Sequence, residues 1–141
     1  MIISISHAKK VITKDLAGNE NGHLIELFKD GRRTSCYLTT VKPGCFKGFH
    51  KHLVRESNYV CIKGRVEIIL CTLSRKEKYI LDADLPQRLH VPINIPIGIK
   101  NDFEEEAWLI NYPVPAYDPL LKDEQIDFTE EQIDAGEHKI F

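Results

Sequence analysis

Val60-Cys61-Ile62-Lys63-Gly64-Arg65-Val66-Glu67-Ile68-Ile69-Leu70-Cys71 reads as strand, tight turn, strand. Both runs are rich in β-branched and other apolar residues, and Gly64 supplies the residue that tolerates positive φ in a hairpin turn. Working outward, further strands are expected over 24–28, 35–41, 78–81, 90–95 and 107–111. Turn signals lie between them: Lys29-Asp30-Gly31, Pro43-Gly44, Pro96-Ile97-Gly98 and Lys100-Asn101-Asp102. Short strands at this spacing indicate an all-β barrel or sandwich. Beyond Pro113, prolines 113, 115 and 119 exclude a central strand. Thr129-Glu130-Glu131-Gln132 is a capping-box pattern and Gly136 a stop, so one short C-terminal helix is expected over 130–135. No repeat, linker or low-complexity segment divides the chain, and a single domain over 1–141 is expected.

The 141 residues suffice for one hydrophobic core. A net charge of -2 offers no general field for nucleic acid or anionic membrane, so neither is expected as a partner. Apolar runs are too short to span a bilayer. The first ten residues place their lysines after a short apolar run, the reverse of a signal peptide, and a cytoplasmic location is expected. Cys36, Cys45, Cys61 and Cys71 form neither a CxxC pair nor a zinc-like spacing, and read as reduced, mostly buried thiols.

The stretch richest in chemistry is Gly44-Cys45-Phe46-Lys47-Gly48-Phe49-His50-Lys51-His52-Leu53-Val54-Arg55-Glu56. In a strand, residues two apart share a face, so His50 and His52 point the same way and Glu56 could reach the same space. Two inward histidines make a base, a metal site or a satisfied core pair. His7, His23, His90 and His138 read as structural or surface residues, and Glu104-Glu105-Glu106 as an exposed turn.

Gly44, His50, His52, Glu56 and Gly64 resemble the first motif of the cupin superfamily, and Pro96-Ile97-Gly98 resembles the PxG of its second. Asn101 stands where that second motif carries a metal-binding histidine. A narrower resemblance is to RmlC-like cupins, the dTDP-4-dehydrorhamnose 3,5-epimerases and dTDP-sugar 3,4-ketoisomerases. Asn19-Glu20-Asn21-Gly22-His23-Leu24-Ile25-Glu26 is similar to the epimerases' DxRGxFxE segment, with Gly22 and Glu26 matching and Asn21 in place of arginine. Lys47-Gly48-Phe49-His50 resembles the RGLH segment that carries their catalytic histidine, and His50-Lys51-His52 the ketoisomerases' HxH. The stretch over 109–119 is similar to the one holding their catalytic tyrosine, which falls on Tyr112.

The resemblance implies a cupin jelly roll that acts without cofactor on a nucleotide-linked 4-keto-6-deoxy sugar, as a homodimer whose N-terminal strands join the partner's sheet. A ketone acidifies the neighbouring C–H. A base removes that proton, and its return to the other face epimerises the centre, while a shuttle between C3 and C4 moves the ketone. Histidine serves as such a base without tuning. On this reading His50 is the base, Tyr112 the acid, and His52 the proton shuttle or enolate donor. Lys47, Arg33 and Arg65 are the candidate diphosphate ligands, Tyr37 or Phe28 the nucleobase platform, and Asn101 a further substrate-binding candidate. The alternatives are a metal-dependent cupin using His50, His52 and Glu56, or a non-catalytic sugar-binding cupin.

Overall fold

The computed structural model describes residues 9–29, 35–115, 120 and 124–139. The chain forms β1 (Lys9–Lys14), β2 (Glu20–Lys29), β3 (Ser35–Val41), β4 (Phe46–His52), β5 (Ser57–Lys63), β6 (Arg65–Cys71), β7 (Lys76–Asp82), β8 (Leu89–Val91), β9 (Ile97–Lys100), β10 (Ala107–Asn111), β11 (Gln125–Asp127), helix α1 (Glu130–Asp134) and a 3-10 turn (Glu137–Lys139). Among the described residues these make two antiparallel sheets, ordered β1-β2-β3-β10-β5-β8 and β11-β4-β9-β6-β7. No helix among them is long and apolar enough to cross a membrane.

The apolar run Ile68-Ile69-Leu70-Cys71 does not alternate because both of its faces are covered. Ile68 and Leu70 join Val41, Val66, Ile97 and Leu109 in the core between the sheets. Ile69 and Cys71 turn outward and pack with Phe49, Phe128 and Ile133, which lies on α1. The helix therefore serves as a lid over the outer face of the five-stranded sheet. Its capping box forms as the sequence predicts: the Gln132 amide donates to Thr129 Oγ1 at 3.1 Å and the Thr129 amide to Gln132 Oε1 at 2.8 Å.

The opening stretch is not a hairpin. β5 pairs with β10 and β8, whereas β6 pairs with β7 and β9. The chain passes from one sheet to the other at Gly64, whose φ is 68°. A Cβ there would lie 2.9 Å from the Glu106 carbonyl oxygen, so glycine answers both the backbone angle and the close approach. Strand propensity and the turn were legible locally, but the pairing partners are distant in sequence. Likewise Pro96-Ile97-Gly98 is no turn, since Ile97–Lys100 is a central strand between β4 and β6. The strand expected over 90–95 shrinks to Leu89–Val91, ended by Pro92 and by Asn94 at φ 66°. β1 and β11 were not anticipated. Cys61 and Cys71 are buried free thiols, and Cys36 and Cys45 half-buried ones.

Phe128 ties the lid to the sheet twice, by its ring in the outer cluster and by reciprocal backbone bonds with Phe49 of 2.9 and 3.1 Å. Phe128→Ala should lower the unfolding free energy by roughly 3 to 5 kcal/mol, the usual cost of emptying a buried phenylalanine site. Urea unfolding measures this, and a loss below about 1 kcal/mol would mean that the lid is not part of the cooperative unit.

Candidate active site

Strand β4 carries the site, and a bulge at Gly48 sets its aim. Lys47 pairs with Ile99 and His50 with Ile97, so three steps on β4 face two on β9. The extra residue puts Lys47, His50 and His52 on the inward face and Phe46, Phe49 and Lys51 on the outward one. Gly48 has φ 127°, and a Cβ there would lie 2.6 Å from the Ile97 carbonyl oxygen, so no other residue fits without moving β9.

His52 opens into a cavity of about 360 Å³ at the barrel mouth. Leu24 and Glu26 of β2, Tyr37 and Thr39 of β3, Tyr59 of β5, Asn111 of β10 and Gln125 of β11 line it, together with Val11, Arg55 and Ile99. Tyr37 is only 8% exposed, and its buried hydroxyl has no hydrogen-bond partner among the described residues. A buried phenol without a partner is costly unless a ligand completes it.

The two histidines have different surroundings. His50, with a side chain 38% exposed, lies next to Gln125 and outside the cavity lining, with Nδ1 2.6 Å from Asp127 Oδ1. Gln125 Nε2 donates to the same oxygen at 2.9 Å. Partial burial opposes ionisation of Asp127, but the bonds from Gln125 and His50 outweigh it and hold its pKa below the usual value. A carboxylate on Nδ1 fixes the tautomer and leaves Nε2 as the basic nitrogen. His52 is buried deeper. Burial, then the Arg55 guanidinium, push its pKa down to about 4, against the pull of Glu124 3.5 Å away. It is neutral at pH 7. Arg55 Nη2 lies 3.3 Å from His52 Nδ1, and since a guanidinium only donates, Nδ1 accepts and the proton resides on Nε2. Arg55 also binds Glu124 through Nε at 3.0 Å. Burial raises the pKa of Glu124, yet Arg55 overrides it and keeps the carboxyl below its usual range.

A family model described as FdtA: WxcM-like, C-terminal matches residues 7–127. The chain belongs to this family. At 25% identity over 133 residues, covering 84% of this chain and 85% of the relative, it is similar to a Haloferax volcanii protein named "Probable low-salt glycan biosynthesis epimerase Agl13". Among solved structures, the capsular polysaccharide assembling protein CapF from Staphylococcus aureus superposes with a TM-score of 0.71 at 18% identity. That match covers 84% of this chain but 34% of CapF, so the chain spans about a third of that protein's length. ChmJ, a 3'-monoepimerase from Streptomyces bikiniensis whose structure holds dTDP, gives a TM-score of 0.63 at 16% identity over 96% of this chain and 75% of its own. These likenesses establish the cupin jelly roll, as the sequence motifs implied.

Within this member of the FdtA and WxcM-like family, His52 and Tyr37 line the cavity, whereas His50 shares the inward face of β4 beside the lining residue Gln125 without itself lining it. Other expectations need correction. Lys47 points inward, but its buried ammonium donates to the His23 carbonyl at 3.2 Å, and burial lowers its pKa to about 8. It closes the seam between β4 and β2 and does not line the cavity. Asn101 is fully buried, with Nδ2 donating to the Val41 and Glu105 carbonyls and Oδ1 accepting from the Phe103 amide. It is a loop organiser with no capacity left for substrate. Arg65 lies outside the cavity, its guanidinium 4.4 Å over the Phe103 ring. Tyr112 is 40% exposed and off the cavity, because Ala107, Leu109 and Asn111 take the inward positions of β10 and the alternation turns the next residue away. Glu56 lies 3.6 Å from His90 and is not brought to His50 and His52, and the described residues hold no cluster of three His, Cys, Asp or Glu suited to a metal. Arg33 and the Phe28 side chain lie outside the described residues.

Asp127, Gln125, Glu124 and Arg55 were missed. Their signal was faint: Gln125 and Asp127 flank Ile126 in the strand alternation, inside an acidic tail that reads as solvated.

Folded His52 accepts a proton only near pH 4, whereas in the unfolded chain a histidine does so near 6.5. The unfolded state binds more protons between these values, so stability falls as pH drops from 6.5 toward 4. Glu124 adds a loss of the same sign further down. His52→Asn should therefore lose less stability than the wild type between pH 7 and 5 in urea unfolding, and equal losses would show that His52 is not held neutral.

Proposed function

We propose that this chain is an isomerase acting by proton transfer on a nucleotide-linked 4-keto-6-deoxy sugar, as an epimerase or 3,4-ketoisomerase. The observation that carries the reading is the 2.6 Å His50–Asp127 contact on the face of β4 that also holds His52, a cavity-lining histidine kept neutral. Family membership supports it, as do the epimerase name of Agl13 and the dTDP held by ChmJ.

His50 Nε2 removes the C–H proton next to the ketone, and the bond pair moves into an enolate. Asp127 stabilises the imidazolium so formed. His52 Nε2–H donates to the enolate oxygen, a task suited to a neutral imidazole, which does not give up its proton. A proton then returns to carbon, on the opposite face for epimerisation or by transfer between oxygen and carbon for ketoisomerisation. Tyr37, which lines the cavity, is the acid better placed than Tyr112, once its buried hydroxyl turns toward substrate. Arg55 is the cation facing the cavity for a diphosphate. Proton transfers alone close the cycle, so the reaction calls for no redox cofactor.

Deuterium from heavy water should enter the sugar at C3. His50→Asn should still bind dTDP and lose this exchange by a factor on the order of 10² to 10⁴, the usual worth of a general base. Tyr37→Phe should keep exchange while net turnover falls, with Tyr112→Phe close to wild type. Full exchange in His50→Asn would overturn the assignment, and the reverse outcome for the two tyrosines would return the acid role to Tyr112.

We read the assembly as a two-fold dimer. β1 pairs with β2 of its own chain and is an edge strand among the described residues, with Val11 and Ile12 exposed. Such an edge is normally paired or covered. Light scattering at micromolar concentration should give twice the chain mass, and a monomer mass would refute the dimer.

A further inference from the structure

On the face of the five-stranded sheet away from the cavity, the β6–β7 turn, the end of α1 and the 3-10 turn enclose a second recess. It measures about 190 Å³, and its polar border is Thr72, Ser74, Arg75, Lys76, His138 and Lys139 together with one carboxylate, Asp134. The reaction described above uses none of these residues.

His138 is the unusual group. It is 5% exposed, and among the described residues neither ring nitrogen completes a hydrogen bond, although the Thr72 backbone lies near. An imidazole buried in this way has at most the Thr72 backbone as a partner, so its hydrogen-bonding capacity is not filled. Its charged neighbours are ammonium groups: Lys139, Lys51 and Lys76, which with burial keep its pKa below the usual value. Lys51 comes from β4 beneath, its buried Nζ 3.5 Å from the His138 carbonyl oxygen. At the rim Lys76 is shared with Asp134 at 2.8 Å and Arg75 with Glu77 at 3.0 Å, so these carboxylates balance only part of the positive charge. Thr72 and Ser74 add hydroxyls, 3.4 Å apart on the turn. On the other side of His138 a hollow of about 510 Å³ is bordered by the apolar Leu73, Ile93 and Ile95.

We infer that this recess is a binding site for a phosphate group, free or as a monoester of a small organic molecule, separate from the active-site cavity. An oxyanion of that size accepts from His138, from the two hydroxyls and from the ammonium groups together. The hollow beside His138 offers room for the organic part of a monoester. The inference rests on residues outside the proposed active site and stands apart from that assignment.

The test is a titration of the whole protein with inorganic phosphate, and in parallel with phenyl phosphate, at constant ionic strength. Amide and imidazole NMR signals are the readout. Saturable shifts are expected at Thr72, Ser74 and His138. Replacing both rim lysines, Lys76→Gln with Lys139→Gln, should weaken binding by about tenfold or more, the worth of charge-assisted bonds. His138→Phe keeps the ring volume and should remove saturation, and His50→Asn should leave the titration unchanged. Tighter binding of phenyl phosphate would assign the site to monoesters, and equal binding to the phosphate group alone. Shifts confined to the active-site cavity, the same affinity in the double lysine variant, or no saturation in the wild type would each overturn the inference. The lysine variant, altered only at the surface, keeps the test decisive should His138→Phe fail to fold.

Discussion

The pairing of β11 along β4 is the constraint on which the site depends. Three residue pairs define it: Gln125 with His52, Ile126 with Lys51, and Asp127 with His50. Without that register, His50 would have no carboxylate to orient it and His52 would lose the residues that enclose it. The register is held mechanically by Phe128 and Ile133, whose burial against Phe49, Ile69 and Cys71 anchors the segment that follows β11. Apolar packing on one face of β4 thus positions polar chemistry on the other. A slip of one residue would turn Asp127 away from His50, because strand side chains alternate.

Two imidazoles on one face of one strand have different neighbours. His50 is half-exposed and has the Asp127 carboxylate 2.6 Å from its Nδ1. Two residues further, burial and a guanidinium hold His52 neutral, with its proton on Nε2. The Arg55–Glu124 pair does more than fill space. The carboxylate satisfies the arginine, and the arginine determines which nitrogen of His52 carries the hydrogen. Separating a base from a donor by environment suits enolate chemistry, where one group must take a proton and another must hold a developing charge without releasing its own.

The seam where β4 meets β2 accounts for Lys47, which the motifs had marked for substrate, and for Asn21, which stands in place of a motif arginine. Asn21 accepts from Thr13 Oγ1 at 2.7 Å and donates to the Phe46 carbonyl at 3.0 Å, while Lys47 crosses to the His23 carbonyl. Both fall where related sequences carry arginines, and both have become ties between strands. A residue type and its place in a motif indicate what a side chain could bind. Whether a free partner remains is decided by the backbone groups that the fold brings within reach.

Much of the architecture was legible locally. The strands over 35–41 and 107–111, the capping box at Thr129 and the shared face of His50 and His52 all follow from periodicities of two or 3.6 residues and from turn chemistry. The cupin motifs carried the architecture, but several local readings of pairing and site placement failed because they needed a distant partner. Lys63-Gly64 was read as a hairpin because a turn signal does not say which sheet the next strand enters. Tyr112 was placed in the site by its motif position, yet the inward phase of β10 gives that place to Asn111. Asp127, 77 residues from His50, left almost no trace in the tail. By itself the sequence determined the β-rich class, the histidine pair and the short helix, since each depends on neighbours along the chain. The tertiary structure alone decided the sheet crossing at Gly64, the carboxylate behind His50, the neutrality of His52 and the burial of Asn101, because long-range pairing and desolvation exist only once the sheets have closed on one another.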